Sequence, residues 1–123
     1  MRYPYSNALN PPGLIVPVTI LDFEGRKSNN IRAEIDTGAG ITSIPNSLVK
    51  SLNLKPFGSV EARGPFDDYK VLYTYLISFK FEDGRIFDTK AIKSRREYTL
   101  IGRDIINQLK IIADGPNNYF EIN

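Results

Sequence analysis

One acid in this sequence stands apart by its neighbours. Asp36-Thr37-Gly38-Ala39-Gly40 follows Ile31-Arg32-Ala33-Glu34-Ile35 and precedes Ile41-Thr42-Ser43-Ile44. Two glycines within three positions allow a sharp backbone turn, so Asp36 stands where a strand ends and the chain reverses. The chemistry open to such a carboxyl is proton transfer. The other chemistries are narrowed by what is missing, because none of the 123 residues is Cys or His. That excludes a thiol nucleophile, a thiolate metal site and an imidazole base, and leaves carboxylates, Lys or Tyr for acid–base work. One working carboxyl lacks a second catalytic group, which points to assembly with another chain.

A three-residue motif recurs by chance, so its setting must carry the reading. Read blandly, Asp36 is a turn aspartate satisfied by nearby backbone donors. Asp83-Gly84-Arg85 and Asp114-Gly115-Pro116 also contain acids next to glycine, and both read as turns. Lys90, Lys93, Arg95 and Arg96 form a basic cluster without interleaved aromatics, as expected of a solvated turn. Arg103 and Asp104 follow Gly102 at the start of a short helical pattern. They read as structural partners of a loop, with Asp104 able to start or cap the helix.

The elements that must position Asp36 are mostly strands. Residues 1–13 hold Pro4, Pro11, Pro12 and Gly13 and read as an extended arm. Residues 14–23 are β-prone, with Pro17 marking an edge or a bulge. Ile31, Ala33 and Ile35 alternate with polar residues, as in a half-buried strand. Pro45 and Asn46 open a short helical stretch. Residues 55–68 read as a hairpin or loop. Over 69–82, Val71, Tyr73, Tyr75, Ile77, Phe79 and Phe81 alternate with a second set, and Asp83-Gly84 is a hairpin signal leading to a partner strand over 85–92. Tyr98-Thr99-Leu100-Ile101 is a short apolar strand stopped by Gly102. Lys110–Ala113 and Tyr119–Ile122 close the chain as a hairpin. There is no βαβ alternation, so a nucleotide-binding parallel sheet is not expected.

The length suits one domain, residues 1–123. Hydrophobic residues make up 41% and charged residues 24%, ordinary values for a chain with a modest core. A net charge of +2 is no nucleic-acid footprint. The longest apolar run, Leu14 to Leu21, is too short for a bilayer. The start of the sequence lacks the apolar core of a signal peptide, so the expected location is cytoplasmic, without membrane or nucleic-acid partners.

Ala33-Glu34-Ile35-Asp36-Thr37-Gly38-Ala39, followed about sixty residues later by Leu100-Ile101-Gly102-Arg103-Asp104, resembles the retropepsin family. These are the retroviral-type aspartic proteases with their cellular and bacterial relatives. The resemblance runs from Leu14 to Ile122. It implies a mainly β, closed or partly open barrel with one or two short helices, assembled as a two-fold homodimer. It implies an aspartic endopeptidase that hydrolyses peptide bonds through a water activated by an Asp36 dyad, with a polypeptide substrate and no metal or cofactor. By resemblance Asp36 is catalytic and Thr37 bonds across the two subunits. Gly38 and Ala39 shape the loop, and Leu100, Ile101 and Gly102 support it. A covering flap runs from about Ser59 to Tyr75, with Arg63, Gly64, Pro65 and Phe66 at or near its tip.

The sequence also departs from the family pattern. Many viral members carry an acid where Gly40 stands. The flap tip has one glycine beside a proline. The Leu48–Leu54 helix is closer to cellular and bacterial members, and the terminal hairpin implies a differently built dimer sheet. One rival is a non-catalytic peptide-binding or scaffold module on the same fold. Another is an unrelated β-barrel with a chance triplet, in which Asp36 lies far from Leu100-Ile101-Gly102.

Overall fold

A computed structural model describes residues 1–64 and 66–123. In chain order the elements are β1 (Arg2–Pro4), β2 (Ile15–Asp22), β3 (Ser28–Ile35), β4 (Ser43–Pro45) and α1 (Asn46–Ser51). They continue with β5 (Pro56–Arg63), β6 (Tyr69–Lys80), β7 (Ile86–Ser94), β8 (Thr99–Ile101), α2 (Arg103–Ile106), β9 (Ile111–Asp114) and β10 (Tyr119–Ile122). The fold is mainly β with two short helices, as the alternation predicts.

The larger sheet runs β2-β3-β8-β4-β7-β6-β5, and β2 also pairs with β6. That extra pairing, Thr19–Asp22 against Ile77–Lys80, closes six of the strands into a barrel and leaves β5 as an outer edge. Closure has a simple sequence basis. Val16, Val18 and Ile20 on β2 and Ile77 and Phe79 on β6 alternate inward and are buried, with Phe81 just beyond β6. Each such side chain contributes about 1.5–3 kcal/mol of hydrophobic stabilisation. Pro17 sits in the half of β2 that β6 does not cover, where its missing N–H is tolerated.

The long strand β6 changes character along its length. Tyr75, Ile77, Phe79 and Phe81 continue one alternating set and lie in the core, whereas Tyr69, Val71 and Tyr73 of the same set are exposed, Tyr73 by 66%. The outer half of β6 pairs only with β5 and extends beyond the barrel as a two-stranded hairpin. Residues 56–63, read as hairpin or loop, are a regular strand after an irregularity between Pro56 and Ser59.

The arm is also more ordered than its prolines suggest. β1 pairs with β10, and β10 with β9, in a second sheet ordered β1-β10-β9. The rings of Tyr3 and Tyr5 pack on buried Phe120. The expected terminal hairpin is therefore present, with the chain's own N-terminal strand added to it. Helix α2 starts differently from the expectation for Asp104. Gly102 is its N-cap and has no side chain to cap with, and Asp104 lies inside the first turn. No helix among the described residues is long and apolar enough to cross a membrane.

Candidate active site

Asp36 stands immediately after β3, at the end of the barrel. On one side β3 pairs in parallel with β8, placing Ala33 opposite Thr99, Glu34 opposite Leu100 and Ile35 opposite Ile101. On the other, Ile35 N donates to Leu14 O at 2.9 Å. The register brings the two distant motifs into contact, and Asp36 N donates to Ile101 O at 3.0 Å. A chance triplet far from Leu100-Ile101-Gly102 is thereby excluded.

The turn is held through its main chain. Ala39 N donates to Asp36 O at 3.1 Å, and Arg103 N donates to Ala39 O at 2.8 Å. Arg103 Nη1 donates to Thr37 O at 2.8 Å. Gly102 is required by space. A Cβ there would lie 2.7 Å from Ile41 C, 2.9 Å from Thr42 N and 3.0 Å from Ala39 O, so only glycine lets β8 approach the loop this closely.

Beneath the turn lies a polar knot. Thr42, fully buried, donates its hydroxyl to Asp104 Oδ1 at 2.7 Å and accepts from Gly102 N at 3.0 Å. Thr42 N reaches both Asp104 oxygens at 3.2 Å, Ile105 N donates to Oδ1 at 3.1 Å, and the Thr89 hydroxyl donates to Oδ2. A half-buried carboxylate with this many donors is satisfied, and it ties the Asp36 loop, β7 and α2 together. Asp104 and Arg103 were legible as loop partners. Thr42 and Thr89 were not, because a β-prone threonine carries no local sign of a partner elsewhere in the chain.

Asp36 itself is half-buried, and Thr37 and Gly38 are exposed. Its carboxylate accepts one hydrogen bond among the described residues, from Gly38 N to Oδ1 at 2.9 Å. Among those residues Oδ2 accepts none. Ala39 is half-buried, while Leu100, Ile101 and Gly102 are buried.

The remaining candidates lie apart from this loop. Arg63 ends β5 opposite Tyr69 and forms an ion pair with Asp67, Gly64 N donates to Asp68 O at 2.7 Å, and Phe66 is 91% exposed. Pro65 lies outside the described residues. No hydrogen bond or ion pair among the described residues joins this hairpin tip to the Asp36 turn. A surface depression of about 600 Å³ between Phe23, Leu54 and Phe57 does not include Asp36.

No protein-family model and no curated protein matches this sequence. Solved structures do. A retropepsin-like aspartic protease from Rickettsia conorii aligns over 98% of this chain and 86% of its own, with TM-score 0.65 and 11% identity. The retroviral protease-like domain of Ddi1 from Leishmania major aligns over 90% and 88%, with TM-score 0.57 and 16% identity. The foamy viral protease-reverse transcriptase, in complex with an RNA/DNA hybrid, aligns over 78% of this chain with TM-score 0.55 and 23% identity. This chain spans only 12% of that protein's length. At such identities the likeness is one of architecture: this chain has the retropepsin-like fold of the aspartic proteases.

Proposed function

We propose that this chain is an aspartic endopeptidase that acts as a homodimer, each subunit supplying one Asp36. The observation that carries the reading is the Asp36 turn itself. Its main chain is fixed by Ile101, Ala39 and Arg103, while one carboxylate oxygen takes no hydrogen bond among the described residues. The likeness to a retropepsin-like aspartic protease supports the same reading.

Hydrolysis needs two carboxyls and a water. One carboxylate takes a proton from the water as it attacks the peptide carbonyl. The other, protonated, donates to the carbonyl oxygen. Two carboxyls about 3 Å apart cannot both ionise easily and share a proton, as in other aspartic proteases. Asp36 has no carboxyl partner among the described residues, so the second comes from a second copy, across a two-fold axis that brings identical turns face to face. Exposed Thr37 is then available for the bond across subunits. The β5–β6 hairpins close over the cleft, and an extended peptide adds to them through backbone hydrogen bonds.

The test is cleavage of an unbiased peptide library from acid to alkaline pH, with sedimentation of the same samples. The expected results are a dimer, a bell-shaped acid profile with two apparent pKa values belonging to the pair, and abolition of cleavage by Asp36→Asn with the dimer retained. Cleavage that survives in Asp36→Asn, or a profile flat across pH, contradicts the reading.

A further inference from the structure

Arg103 is exposed and stands beside the turn that carries Asp36. Its Nη1 donates to Thr37 O at 2.8 Å, on the residue that follows the acid. A guanidinium has five N–H donors in a rigid fork suited to a carboxylate, and this hydrogen bond uses one. Among the described residues no carboxylate lies within ion-pair distance of Arg103, as also of Arg32, Arg95 and Arg96, whereas Arg2, Arg26, Arg63 and Arg85 each have one. The reason is visible in the neighbouring residue. A Cβ at Gly40 would lie 3.4 Å from Arg103 Nη2, so an acid at position 40 would reach the guanidinium, and glycine leaves that side open.

The segments around the Asp36 turn are poor in acids. Residues 1–13 contain no Asp or Glu, residues 36–46 contain only Asp36, and residues 98–104 contain only Asp104. Asp104 is engaged by Thr42, Thr89 and Ile105.

We propose that Arg103 is a specificity-determining residue that binds a carboxylate side chain of the peptide substrate. The inference rests on the protease reading of Asp36. An extended peptide advances about 3.3 Å per residue, so an anchor bonded to residue 37 falls within about two or three residues of the scissile bond. The two-fold axis supplies two such anchors, one on each side of that bond. A bidentate, charge-assisted pair is the strong kind of hydrogen bond. Discrimination comes from the guanidinium losing its partner when the acid is replaced by an amide.

The experiment uses the full chain and peptide pairs that differ only by Glu or Gln at each position flanking a cleaved bond. The readout is the ratio of kcat/KM within each pair. The expected ratio is about tenfold in favour of Glu at one or more positions, falling towards one as the pH drops below the usual glutamate range near 4.3. Arg103→Gln removes the preference. Gly40→Asp also removes it, by placing an acid of the chain's own against the guanidinium, and serves where the Arg103 variant does not fold. A defect that is only structural lowers both members of a pair alike and leaves the ratio unchanged. A ratio of one in the unmodified protein, or a ratio that survives in both variants, overturns the inference while leaving the protease reading intact. Failure to cleave any peptide removes both.

Discussion

Asp36, Asp83 and Asp114 all stand at chain reversals, and each has a glycine within two residues. Asp36 and Asp83 even make the same local bond. Oδ1 accepts the amide two residues on, from Gly38 at 2.9 Å and from Arg85 at 3.0 Å. They differ in the second oxygen. Asp83 Oδ2 takes Arg85 Nε at 2.8 Å, and Asp114 Oδ2 takes Asn117 Nδ2 at 2.9 Å. Asp36 Oδ2 takes nothing from the described chain. A turn that stabilises itself commits its carboxylate to do so. The Asp36 turn adds support from β8 and α2 to its own Gly38 and Ala39 hydrogen bonds, and its Oδ2 is left available for other chemistry.

The comparison is broken most severely by removing the outside support. Gly102→Ala forces a Cβ against backbone atoms of residues 39, 41 and 42. The expected loss is about 3 kcal/mol, at the upper end for overpacking, read by urea denaturation. Asp104→Ala comes next. It strands the donors of Thr42 and Thr89, at an expected cost of about 2 kcal/mol. Asp104→Asn keeps a carbonyl acceptor and is expected to lose less. Asp83→Ala removes only an exposed, self-contained turn contact and is expected to cost the least of the three substitutions in the same denaturation measurement. If Asp83→Ala proves as costly as Gly102→Ala, the contrast between internally and externally supported turns is wrong.

Much of this contrast was legible in the sequence. Ile31-Ala33-Ile35 announced the strand into Asp36, and Leu100-Ile101-Gly102 announced its support, because both are written in period-two patterning and glycine placement. Asp83-Gly84 announced its hairpin. What could not be read is non-local. Pairing Arg2–Pro4 with Tyr119–Glu121 joins chain ends more than a hundred residues apart, and nothing near Tyr3 signals it. Thr89 meets Asp104 only because β7 and α2 converge. The alternation of β6 is equally regular in both halves, so its pattern could not show that Tyr73 leaves the core while Tyr75 stays in it. Pro56 and Gly58 concealed β5, whose strand is held by pairing to β6 rather than by its own propensity.

The smallest effect is the most direct test of where the carboxylates are committed. Asp83 is held below its ordinary pKa first by the Arg85 backbone N–H and then by the Arg85 side chain. Asp114 is held below its own first by the Asn117 side chain, with help from the Asn117 amide, Tyr119 and Arg2. The sign of the stability effect follows from linkage. A carboxylate whose folded pKa is depressed contributes stability above its unfolded pKa, and that contribution fades as the pH falls through the folded value. Asp83 is exposed and Asp114 is half-buried at the surface, so the stability change is small and the titration itself is the better measurement. In a carboxyl-carbon NMR titration, Asn117→Ala is expected to return Asp114 upward towards the usual range while leaving Asp83 unmoved. An Asp114 midpoint unchanged by that substitution would mean that its turn does not commit the carboxylate, and the distinction from Asp36 would then have to rest on Arg85 alone.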